Sequence, residues 1–114
     1  MKRIVVFALI FILAIGTISA FAMPMISRKV LNLNYSGTTA LCKFTVTDTG
    51  KTIDATMELW QGNTKLATWN DSDTTQVILD ETYGVTSGVS YTLKGYGTIN
   101  GVNFNMTSVT KTCP

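Results

Sequence analysis

The chain predicts an all-β domain, a single antiparallel β-sandwich of about seven strands. Three observations lead there. Threonine, valine, glycine and asparagine dominate from Arg28 onward, while leucine, glutamate, lysine and alanine, the helix formers, are thin. No window holds apolar residues at helical spacing for long. Short alternating runs are broken by turn signals about every ten residues, the pattern of a sandwich or barrel.

The N-terminal stretch stands apart from that pattern. Lys2 and Arg3 precede an uncharged apolar run at residues 4–15, and Ala20-Phe21-Ala22 is a small-x-small ending. This order predicts a secretory signal peptide over residues 1–22, cut after Ala22. The run is short for a membrane span, and no cysteine follows the cut to carry a lipid. A soluble, secreted (extracellular) monomer is expected, with no membrane association after cleavage. Residues 23–29 read as a flexible tail, since Pro24 is a poor strand residue, and residues 30–114 as the domain. Removing 22 of the 114 residues leaves 92, one small domain with a modest core.

The expected strands follow in order. In residues 30–35, Leu31, Leu33 and Tyr35 alternate with Val30, Asn32 and Asn34, and Ser36-Gly37 breaks the run. Residues 39–47 place Ala40, Cys42, Phe44 and Val46 on one face, so Cys42 points inward. Asp48-Thr49-Gly50-Lys51 reads as a turn. Residues 52–61 put Ile53, Ala55, Met57 and Leu59 inside and Asp54, Thr56, Glu58 and Trp60 outside. Gly62-Asn63 turns the chain into residues 65–70, with Ala67 and Trp69 inward. Asn70-Asp71-Ser72-Asp73 reads as a polar loop before a fifth strand at 75–80, where Val77 and Leu79 face in.

The sixth strand, 89–99, carries Val89, Tyr91 and Leu93 inward. Gly95 and Gly97 then leave that face bare, which predicts a bend, a bulge or a close backbone approach. Asn100-Gly101 is the strongest hairpin signal in the chain, because both residues tolerate the positive φ of a type I′ turn. The seventh strand, 102–111, sets Val102, Phe104 and Met106 inward and ends just before Cys113. In an exported chain the pair Cys42 and Cys113 predicts a disulfide bond, with free thiols or an intermolecular bridge as the alternatives. That bond would close about seventy residues and contribute roughly 4 kcal/mol in the chain-entropy treatment.

Residues 88–93, Gly-Val-Ser-Tyr-Thr-Leu, resemble the start of the penultimate strand of immunoglobulin-like and fibronectin-III-like sandwiches. The resemblance implies a corner role for the Tyr91 hydroxyl and a core role for Leu93. It departs from antibody domains in that Leu93 stands where a core cysteine would be and Trp60 falls on the outward face. Three further phrases are Thr56-Met57-Glu58-Leu59-Trp60-Gln61, Leu66-Ala67-Thr68-Trp69, and Thr82-Tyr83-Gly84-Val85 with Gly88 and Tyr91. Together they resemble small secreted sandwich proteins of this kind from Gram-positive bacteria, a family of unassigned function. They are core and turn positions, so they imply an immunoglobulin-like fold and no particular activity.

The chemistry is mostly excluded. The chain has no histidine, which removes Ser-His-Asp and Cys-His catalysis and histidine metal sites. No phosphate-binding glycine loop of standard spacing occurs. Asp80 and Glu81 would point to opposite faces of a strand, a poor pair for glycoside hydrolysis. Asp71 and Asp73 have an Asp-x-Asp look, but neither the glycine nor the terminal glutamate of a calcium loop follows. No enzyme, metal or cofactor is expected. Nine basic residues fall to seven once Lys2 and Arg3 leave, equal to the seven acidic ones, which argues against nucleic acid as a partner.

One surface carries a functional expectation. If the strands at 52–61 and 89–99 are neighbours, Asp54, Thr56, Glu58 and Trp60 share an outward face with Ser90, Thr92, Lys94 and Tyr96. Trp60 and Tyr96 on such a face suit stacking on sugar rings or anchoring a protein, and Glu58 and Lys94 would pair across the strands. The expected function is a secreted, non-enzymatic binding module whose partner is a protein or an envelope glycan. A small secreted effector, inhibitor or toxin-like, and a purely structural exported domain are the competing readings.

Overall fold

The computed structural model describes residues 27–114; the expected signal peptide at 1–22, and residues 23–26 of the expected tail, lie outside the described residues. Six strands follow one another: β1 (Ser27–Ser36), β2 (Thr39–Gln61), β3 (Thr64–Gly84), β4 (Ser90–Ile99), β5 (Val102–Asn105) and β6 (Val109–Thr112). All pairings are antiparallel. The first half of β2 lies between β1 and the second half of β3, and its second half lies between the first half of β3 and β4. β5 and β6 both pair with β4. Ser27, Arg28 and Lys29, the last three residues of the expected tail, belong to β1, where they pair with Asp48, Thr47 and Val46.

These strands make one sheet that curls into an open half-barrel, which overturns the expected closed immunoglobulin-like sandwich. Two of the expected reversals do not reverse the chain. The strands expected at 39–47 and 52–61 are the single strand β2, and those expected at 65–70 and 75–80 are the single strand β3. At Asp48-Thr49-Gly50-Lys51 the register jumps: Asp48 pairs with Thr75 and Thr52 with Thr74, leaving residues 49–51 opposite nothing on β3. Asn70, Asp71, Ser72 and Asp73 stay in the ladder, opposite Thr56 through Ile53. Gly50 takes φ 77° and Thr75 φ 75°. A bulge of this kind bends and twists a strand without ending it. Both long strands bend at the same height, so one sheet curls where two sheets were expected to stack.

The core lines the concave side. Phe44, Leu33, Ile53, Met57, Leu59 and Leu93 are its largest fully buried apolar side chains, each from a position that alternation assigns to the inside. Burying one such side chain contributes roughly 1.5–3 kcal/mol. Trp69 packs at the edge of this cluster, as do Phe104 and Met106. The two bare glycines mark close approaches. A Cβ on Gly97 would collide with the Asp54 carbonyl, and one on Gly95 would sit 3.1 Å from both Leu31 and Phe44.

The C-terminal hairpin holds in part. Asn100 (φ 49°) and Gly101 (φ 79°) form the two-residue turn. The Asn100 carboxamide oxygen accepts the Thr52 N–H at 2.9 Å, and its own N–H donates to the Thr52 carbonyl at 2.8 Å. Beyond Asn105, however, the strand breaks. Met106 N–H donates to the Gly95 carbonyl at 2.8 Å, and pairing resumes as β6 at Val109. Val102, expected inside, sits at the hairpin tip and is 70 % exposed. At the other end, the Tyr91 hydroxyl accepts the Thr86 N–H at 2.9 Å, tying down the turn before β4.

The expected disulfide is absent: Cys42 and Cys113 are both buried free thiols. The two thiols sit on different elements of the curled sheet. Cys42 lies mid-strand in β2 between Leu33 of β1 and Glu81 of β3. Cys113 follows β6, which pairs with β4, and its thiol turns to the Gly37 carbonyl at 3.4 Å. Hydrogen bonds anchor the chain end instead. Gly88 N–H donates to the Cys113 carbonyl at 2.7 Å, Cys113 N–H to the Val89 carbonyl at 2.9 Å, and the Ser87 hydroxyl to the main-chain oxygen of Pro114 at 2.7 Å.

Candidate binding face

β2 and β4 bring the four residues of the expected face together. Glu58 stands opposite Lys94, Thr56 opposite Tyr96 and Trp60 opposite Thr92. Because side chains alternate, Met57, Leu59 and Leu93 enter the core while Glu58, Trp60, Lys94 and Tyr96 project from the convex side. The central Glu58 is nevertheless only 8 % exposed, since its neighbours close over it.

Every oxygen of that carboxylate is engaged. Trp60 donates its indole N–H to Oε1 at 2.9 Å. Tyr96 donates its hydroxyl to Oε2 at 2.6 Å, and Lys65 of β3 reaches the same oxygen at 3.7 Å. Lys94 does not form the expected cross-strand ion pair: its ammonium lies 4.3 Å over the Trp60 ring instead. The cation is thus drawn to the negative face of the indole while Lys65 takes the carboxylate.

The electrostatics follow from these contacts. Burial works against a charge on Glu58, but the Tyr96 and Trp60 hydrogen bonds, with Lys65 and Lys94 nearby, outweigh it and hold the carboxyl below its ordinary value. The same hydrogen bond to Glu58, reinforced by burial and by the carboxylate charge, raises Tyr96. Glu58 is therefore ionised at neutral pH and its lone pairs point at the two aromatic groups. That geometry fixes the two rings.

Around this centre the face is polar. Thr92 and Thr110 share a hydroxyl hydrogen bond of 2.8 Å, and Ser90 and Thr112 one of 2.6 Å. The Asn70 amide donates to Asp54 at 2.7 Å and to the Thr56 hydroxyl at 2.9 Å. Asp71 and Asp73, opposite the inward Ala55 and Ile53 and so off this face, accept the N–H groups of Ser72 and Thr74 at 2.9 and 2.7 Å. Among the described residues no three His, Cys, Asp or Glu side chains gather as a metal site. Among them, too, no helix is long and apolar enough to cross a membrane.

The sequence reading passed over a second outward surface. Val30, Thr45 and Ile78 form one row across β1, β2 and β3, with Arg28 and Lys43 in the adjacent rows. They line a shallow groove of about 380 Å³. Val30 and Ile78 are exposed, as is Leu41 two residues from Lys43. The signal for it was present, because apolar residues stood at outward positions of alternating strands. Comparison of the chain with protein-family models, with curated proteins and with solved structures finds no match.

Proposed function

We propose that the protein is a secreted, non-enzymatic binding module that engages a protein or an envelope glycan through the Trp60–Tyr96 face. The observation that carries this reading is the grip of Glu58 on both aromatic side chains. Aromatic anchors dominate binding hot spots, and an anchor already held in place loses little freedom on binding. The half-buried rings of Trp60 and Tyr96 stand about one carboxylate apart in a field of hydroxyls and amides, and Lys94 adds a cation beside them. The signal-like residues 1–22 support export.

A panel of purified envelope glycans and extracellular protein fractions, screened against the wild type and against Trp60→Ala, tests the reading. A ligand retained by the wild type and lost by Trp60→Ala supports it, and which arm of the panel delivers that ligand decides between glycan and protein. Equal retention by both would remove the face. No retention of any member would favour a structural role.

A further inference from the structure

The curl of the sheet leaves a seam between β1 and the β5–β6 edge. At one end that seam is zipped: the Tyr35 hydroxyl donates to the Lys111 carbonyl at 2.7 Å, and the Lys111 ammonium reaches the Asn34 side chain at 3.4 Å. At the other end it gapes. There a cavity of about 360 Å³ opens between Lys29 of β1, the bulge residue Lys51 and the hairpin side chains of Ile99, Val102 and Phe104. We propose that this mouth is a binding site for a small organic anion with an apolar body, such as a medium-chain carboxylate.

The wall and the rim suit different parts of such a ligand. Phe104 packs on the core ring of Phe44, centroids 6.2 Å apart, and with Ile99 and Val102 gives the cavity an apolar wall. Val102 is 70 % exposed there, a large apolar side chain at the opening of a concavity. The charges at the rim are two cations against one anion. Lys29 has no carboxylate partner among the described residues, and its ammonium lies 5.5 Å over the Phe104 ring. Lys51 is held at 3.6 Å from Asp48, a distance that leaves ammonium protons for another acceptor.

Asp48 does not compete for a cationic ligand. It is only 7 % exposed, one oxygen faces Lys51, and the other accepts the Ser27 hydroxyl at 3.4 Å. Its role is to hold Lys51 at the rim. A carboxylate lying between Lys29 and Lys51 would gain two charge-assisted hydrogen bonds while its chain covers the wall. The volume is at the small end for ligand pockets, which limits the occupant to a chain of medium length or a single ring.

Backbone-amide NMR titration of the purified protein with sodium octanoate, and separately with octylammonium chloride, tests the proposal. Octanoate should give saturable shifts confined to Lys29, Lys51 and residues 99–104. The Lys29→Gln/Lys51→Gln variant should weaken that binding about tenfold or more, the loss expected for charge-assisted contacts. Val102→Asp, at an exposed position that does not endanger the fold, should weaken it as well. Octylammonium binding as tightly as octanoate would overturn the proposal, because Asp48 would then be the anchor. Shifts scattered over the outward faces, or no saturable shift, would overturn it too.

Discussion

Gly50 and Thr75, the residues at which the two long strands bend, are joined to each other: the Gly50 N–H donates to the Thr75 hydroxyl at 3.1 Å. Both have positive φ, 77° and 75°. Glycine adopts that conformation freely, whereas a β-branched residue there is strained. The hydrogen bond accounts for the tolerated strain and couples the bend of β2 to the bend of β3. Thr75→Val keeps the branch and loses the bond, so it should destabilise the fold by about 1–2 kcal/mol. Thr75→Gly loses the bond but relieves the backbone, so it should cost clearly less. Urea unfolding of the two variants measures the difference; Val no worse than Gly would contradict this role.

Gly97 predicts a sharper effect. A methyl group there meets the Asp54 carbonyl of the neighbouring strand, which cannot move without breaking the β2–β4 ladder. Gly97→Ala should cost about 1–3 kcal/mol, the range for forced overpacking. Gly84→Ala, with open space around the added carbon, is the control and should change the denaturation midpoint little.

The Glu58–Tyr96 hydrogen bond sets limits at both ends of the pH scale. The folded state lowers Glu58, so its contribution is complete above the ordinary value near 4.5 and is lost as pH falls through the depressed one. The folded state raises Tyr96, so that contribution is complete below the ordinary value of 10.0 and is lost as pH rises through the raised one. Thermal melts across pH should show both losses. In Tyr96→Phe, carboxyl NMR should find the Glu58 midpoint moved up toward its ordinary value, and an unmoved midpoint would refute the pairing.

Both thiols should be present and shielded. Burial, with Glu81 nearby, pushes Cys42 up to about 11, so little thiolate exists near neutrality. Cys113 is 1 % exposed. A thiol reagent at pH 8 should label neither quickly in the native protein and both after denaturation. A two-dalton mass gain on reduction would contradict the free thiols.

The alternation of small steps was legible in the sequence, and the global curvature was not. Ala40, Cys42, Phe44 and Val46, and again Ile53, Ala55, Met57 and Leu59, declare their inward face by period-two spacing alone, and all are fully buried. Asn100-Gly101 declares its turn by the φ it permits. Asp48-Thr49-Gly50-Lys51 also carries a turn-prone glycine, yet it makes a bulge, because whether a glycine reverses a strand or only bends it depends on what the neighbouring strand does at that height. That information sits in Thr75, twenty-five residues away. The face was legible for a related reason: once β2 and β4 pair, alternation alone puts Glu58, Trp60, Lys94 and Tyr96 on one side. The exchange of partners, Lys65 to the carboxylate and Lys94 to the indole, was not, since it depends on a third strand.

The most direct measurement of the proposed function is the affinity of Tyr96→Phe for whichever ligand the wild type retains. This variant keeps the ring and removes only the hydroxyl that locks it to Glu58 at 2.6 Å. If pre-positioned aromatic groups do the binding, Tyr96→Phe should bind roughly five- to tenfold more weakly and Trp60→Ala should lose binding altogether, as for a central anchor. Wild-type affinity in both variants would contradict the account.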